Sequence, residues 1–127
     1  MSDSETTVAE LKNLVESFVD RRDWRQFHSP KNLSMSMAIE AAELMEHFQW
    51  LSAEESREIV RDSRKLGEVA DELADVICYA LALANQLGLD LAGAVRNKMA
   101  KNEAKYPAEA YRGRYGPEDR RQGGNEE

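Results

Sequence analysis

Apolar residues recur at helical spacing along most of this chain, and nowhere do they alternate as a strand requires. Leu11, Leu14, Val15 and Phe18 form the first stripe, and Thr7 with Glu10 has the form of a capping box before it, so a first helix is expected from about Val8 to Arg21. The polar stretch DWRQFHSPKN interrupts the pattern. Ser29 is a good cap and Pro30 is tolerated in a first turn, which starts a second helix near Pro30 and leaves Asp23 to His28 as a connecting loop. In that helix Leu33, Met37, Ala41, Leu44 and Phe48 make the core stripe, with Ser36, Glu40, Glu43 and His47 beside it. Ser52 with Glu55 opens a short, charged third helix that includes Ile59 and Val60, and a bend is expected around Asp62 to Lys65. Leu66, Val69, Leu73, Val76, Ala80 and Leu83 then mark one face of a long helix ending near Leu87. It is apolar nearly all round after Leu73, so it reads as the central, most buried element. Gly88 stops it, Asp90 caps a last helix from about Leu91 to Lys105, and Pro107 ends that one. The expected fold is all-α, a bundle of four to five helices over residues 1–110. A flexible, charged tail over residues 111–127 is expected from its glycines and its lack of periodicity.

Charge narrows the picture. At 127 residues and a net charge of −7, the chain fits one acidic domain. That balance weighs against a nucleic-acid polymer as partner, since such binding comes chiefly from basic surface, yet it admits a single nucleotide arriving with a cation. Cys78 is the sole cysteine and sits in the most apolar stretch, so it reads as a core residue in a reducing compartment. Met1 to Glu5 is polar and acidic, without a secretory or membrane signal. The longest uncharged apolar run, Val76 to Ala84, is about half of the roughly 20 residues a membrane helix needs. A cytoplasmic protein with no membrane partner is expected.

Two acid pairs interrupt the apolar pattern. Between Lys31 and Glu46 the only charges are Glu40 and Glu43, and Asp75 is the only charge from Leu73 to Ala84, with Glu72 three residues before it. A spacing of three puts both members of a pair on one helix face. Repelling acids beside an apolar stripe require a counter-charge, and four carboxylates converging between packed helices resemble the metal sites of helix bundles. Oxygen ligands without Cys or His at ligand spacing point to Mg²⁺, with Mn²⁺ as the alternative. For either pair alone, solvated surface acids are the simpler reading; their recurrence argues against it. Glu68 with Asp71 also fits the spacing but lies in more polar surroundings. Trp24, Phe27 and Trp50 stand outside helix interiors, where they either stack on a base or cover the bundle's open ends. Lys98, Asn102 and Lys105 share helical spacing on the last helix, facing phosphates or water.

The run DWRQFHSPKNL, then E-x-x-E and FQW, then E-L-A-D-V-x-x-Y, then KMxxNxxKYP resembles the MazG-like nucleoside triphosphate pyrophosphohydrolases, in particular their dCTP pyrophosphatase branch, from Leu11 to Pro107. The resemblance implies an all-α homo-oligomer, a tetramer built as a dimer of dimers or a dimer. It also implies Mg²⁺-dependent cleavage between the α and β phosphates of a nucleoside triphosphate, giving the monophosphate and pyrophosphate. Carried over by position, Glu40, Glu43, Glu72 and Asp75 would be metal ligands and catalytic acids, with Glu43 the favoured base. Trp24, His28 and Trp50 would shape the base pocket, while Tyr79, Lys98, Asn102 and Tyr106 would contact sugar or phosphates. One departure stands out: where the animal enzymes place a base-facing histidine on the first helix, this chain has Val15, which leaves base preference open. The expected activity is removal of dCTP or modified cytosine nucleotides from the pool; the alternatives are the same chemistry on dUTP or a broad set of triphosphates, or a non-catalytic helical oligomerisation module. A di-iron bundle is disfavoured, because neither acid motif has a His three residues on.

Overall fold

The computed structural model describes residues 1–114. These are helical throughout, with no strand among them: α1 (Val8–Arg21), α2 (Pro30–Glu46), α3 (Ala53–Arg57), α4 (Ser63–Leu87), α5 (Leu91–Lys105) and α6 (Ala108–Tyr111). No single described helix is long and apolar enough to cross a membrane. Two compact units divide the chain, Met1–Leu91 and a second that begins at Ala92; the one domain expected over residues 1–110 spans both. The expected tail, 111–127, lies outside the described residues except for its first four.

Local signals place the helix ends. Thr7 Oγ1 accepts from the Glu10 amide while the Glu10 carboxylate accepts from the Thr7 amide, so the capping box opens α1 at Val8 as expected. Ser29 caps α2 through the Asn32 amide, with Pro30 in the first turn. The Ser52–Glu55 box opens α3, and Asp62 caps α4 through the Lys65 amide, so the expected bend is the start of the long helix. Gly88 ends α4 in the left-handed conformation, φ 61°, and the Leu89 amide reaches back to Ala84 O at 2.9 Å. Three short features carry no periodicity of their own and escape a sequence reading. They are the 3-10 turns Arg25–Phe27 and Glu58–Arg61, and α6, a single turn that restarts after Pro107. The apolar pattern of the second helix runs on to Trp50, yet α2 stops at Glu46 and Phe48 lies in the following turn.

Within the first unit α4 packs against α2 and α1. The core is small: Val19, Leu33, Ile59, Leu81, Ala82 and Ala84 are the buried apolar residues. The expectation that α4 is the most buried element holds only for its C-terminal half, because two neighbouring helices cannot enclose a third on all sides. Leu66, Leu73 and Ile77 stay open, Leu73 by 50%. Of the α2 core stripe Leu33 is buried to 1%, while Ala41 is exposed.

Candidate active site

The α2–α4 contact brings the two acid motifs together. Glu40 and Glu43 lie one turn apart on α2, and Glu72 and Asp75 lie one turn apart on α4. One carboxylate oxygen from each of Glu40, Glu43 and Glu72 lies within 4.8 Å of the others. Oxygens around an octahedral Mg²⁺, with bonds of about 2.1 Å, stand roughly 3–4 Å apart, so small side-chain adjustments would let these three oxygens supply about half of such a shell. Oε2 of Glu40 and Oε2 of Glu72 are buried and have no hydrogen-bond partner. Buried acceptors are rarely left so, and a cation is the partner their charge calls for.

The electrostatics agree. Burial, then hydrogen bonding and repulsion from Glu43, then the charges of Asp75 and Glu72, push the Glu40 carboxyl up to about 7. Burial followed by Glu43 raises Glu72 as well. Without a cation these acids hold protons they would otherwise release. Asp75 stands beside the triad; its side chain is exposed and its charge acts on both Glu40 and Glu72. The competing pair differs: Glu68 is bonded to Arg64 at 3.3 Å and Asp71 is exposed, so both are explained without a ligand.

Glu40 and Asp75 also border a cavity of about 410 Å³, whose other walls include Val15, Phe18, Trp24, His28, Cys78 and Tyr79. Its lining is mostly apolar side chains with a charged edge, the usual make-up of a small-molecule site. Trp24 and His28 reach it because the chain reverses after α1 through Asp23, a non-glycine residue at φ 53°. The Trp24 amide then bonds Val19 O at 3.1 Å, and Asn32 Nδ2 holds Phe27 O at 3.1 Å, fixing the 3-10 turn to the start of α2. Trp24 meets Phe18 edge to face, with ring centroids 5.7 Å apart.

Of the residues singled out from the sequence, Trp24, His28, Tyr79, Glu40 and Asp75 line this one cavity. Trp50 does not; it lies past the end of α2, 87% exposed. Lys98, Asn102 and Tyr106 occur at successive turns of the second unit: Lys98 is exposed, Asn102 is half-buried, and Tyr106 meets Tyr111 edge to face. Cys78, read as a core residue, is instead exposed on the cavity wall, where α4 faces α1 and α2 across an open space that their side chains do not fill. Phe18 was missed. It shares a stripe with core residues, and only the packing of α1 on α4 shows that the ring faces the cavity rather than the interior.

A model of the MazG-like family matches residues 35–114. The dCTP pyrophosphatase 1 of Bos taurus is 38% identical over 110 residues, 87% of this chain and 65% of that protein. The dCTP pyrophosphatase 1 of Homo sapiens is 38% identical over 104 residues, 82% of this chain and 61% of that protein. The chain therefore spans a little under two thirds of the length of these curated relatives. Among solved structures, a pyrophosphatase from Archaeoglobus fulgidus DSM 4304 is 42% identical, with a TM-score of 0.74 over 84% of this chain and 98% of that one. With paired acids meeting across α2 and α4, and with a family match over most of its length, the chain belongs to the MazG-like family.

Proposed function

We propose that this chain is a Mg²⁺-dependent nucleoside triphosphate pyrophosphohydrolase acting on dCTP or a modified cytosine nucleotide. The observation that carries this reading is the junction of two surfaces, three clustered carboxylates, two of them with orphaned oxygens, and a mostly apolar, aromatic cavity that shares Glu40 with them. A nucleotide has the same two ends. The names of the relatives, dCTP pyrophosphatase 1 and a pyrophosphatase, support the substrate and the bond broken.

Glu40, Glu43, Glu72 and Asp75 would hold the cation; Mn²⁺ suits the same oxygen set. When bound, it neutralises phosphate oxygens and makes water a better nucleophile. Glu43, whose carboxyl acts on both Glu40 and Glu72, takes the proton of the attacking water. The water oxygen bonds to the α phosphorus, the bond from that phosphorus to the bridging oxygen breaks, and pyrophosphate leaves with the bond's electron pair. Trp24, His28 and Tyr79, which line the cavity, receive base and sugar. Exposed Met35, Ile39, Leu73 and Ile77 support assembly of the chain with itself, as a dimer or a tetramer. A cytoplasmic setting, with neither nucleic-acid polymer nor membrane as partner, completes the reading.

Val15 on the cavity wall favours a second reading, the same chemistry with weak base discrimination on dUTP or many triphosphates, because an aliphatic side chain cannot read a base edge. Pyrophosphate release across canonical and modified triphosphates, with Mg²⁺, Mn²⁺ or chelator, separates the two. The proposed reaction in ¹⁸O-labelled water puts the label in the monophosphate. Label in the pyrophosphate, or release that is unaffected by chelator, overturns it.

A further inference from the structure

The wall carrying Trp24 and His28 is fastened from outside the cavity by two arginines that do not line it. The guanidinium of Arg22 lies over the Phe18 ring, 3.7 Å from its centroid, and donates to the Phe18 carbonyl at 3.1 Å, so one group holds both the ring and the backbone of that residue. Phe18 in turn abuts Trp24. On the next turn Arg25 donates to Glu16 at 2.5 Å and reaches Asp20 at 3.3 Å, bonding the 3-10 turn to two successive turns of α1. Between these two anchors sits Asp23 in the left-handed conformation, at φ 53°, where the chain reverses. From this geometry we infer that Arg22 and Arg25 are positioning residues for base binding, acting through Phe18, Trp24 and His28. This rests on the function proposed above. The acids on α2 and α4 touch neither arginine, so the chemical step is left alone and the effect falls on substrate affinity.

The test is steady-state kinetics on Arg22→Ala, Arg25→Ala and Arg22→Lys, using the best triphosphate from the substrate panel. Each alanine variant is expected to raise KM by about two- to fivefold, the range of a single exposed cation–π contact or ion pair, with kcat within about twofold of wild type. Arg22→Lys is expected to recover part of the loss, since it keeps the cation without the planar stack. Acrylamide quenching of Trp24, measured in chains carrying Trp50→Phe, gives a readout independent of turnover and is expected to increase in both alanine variants. Unchanged KM and unchanged quenching overturn the inference, as does a fall in kcat at constant KM. If the wild-type chain cleaves no nucleotide, the proposed function fails, and quenching alone decides whether the arginines hold Trp24.

Discussion

Glu40 is held in a state that suits a ligand better than it suits the free chain. Its carboxyl is raised to about 7 from an ordinary 4.5, so folding favours its protonated form. That preference stabilises the cation-free protein fully below the ordinary value and is lost as pH rises through about 7. The thermal midpoint of chelated protein is therefore expected to fall between about pH 5 and 8, and Mg²⁺ is expected to cancel most of the fall at the upper end. Calorimetry with and without Mg²⁺ checks both. Replacing Glu43 should act in two directions: Glu43→Gln removes the charge that repels Glu40 and Glu72, raising the midpoint of cation-free protein at pH 8, while kcat drops by about 10²- to 10⁴-fold. Asp75→Asn is expected to lose turnover with its circular dichroism unchanged; full activity in that variant would remove Asp75 from the site.

At the scale of elements, most boundaries were legible because their causes are local. A capping box, a proline in a first turn and a glycine stop each act within about one turn of helix, so Thr7, Ser29, Ser52 and Gly88 could be read without knowing what the helices touch. The early end of α2 was not legible, since the apolar residues after it continue a helical pattern that the backbone abandons. Two glycines on α4 and at its end give a paired test, because a methyl group added at either meets nothing within 4 Å. Gly67 is helical, so Gly67→Ala is expected to stabilise by roughly 0.5–1 kcal/mol through chain entropy. Gly88 sits at φ 61°, so Gly88→Ala is expected to destabilise by roughly 1 kcal/mol or more. Urea midpoints of the two variants should move in opposite directions.

For the whole molecule, the small core and the open apolar faces belong together. Met35 and Ile39 on α2 and Leu73 and Ile77 on α4 are each about half exposed, too much apolar surface for two packed helices to leave in water. Light scattering is expected to report a multiple of the 14.4 kDa chain. Ile39→Glu or Ile77→Glu should shift it toward the monomer and lower the thermal midpoint; a wild-type chain that stays monomeric at high concentration would count against assembly.

Sequence alone determined what depends on neighbours within a few residues: the helical class, the caps, and the pairing of Glu40 with Glu43 and of Glu72 with Asp75, because one helical turn sets those distances. Tertiary structure decided what depends on which faces meet. It joined three of the acids to within 4.8 Å, left Asp75 beside them, and turned Phe18 and Cys78 toward a cavity that their apolar surroundings in the sequence disguise. A helix face is legible from periodicity, but the partner it turns toward is chosen by packing between segments far apart in the chain, and no local pattern encodes that choice.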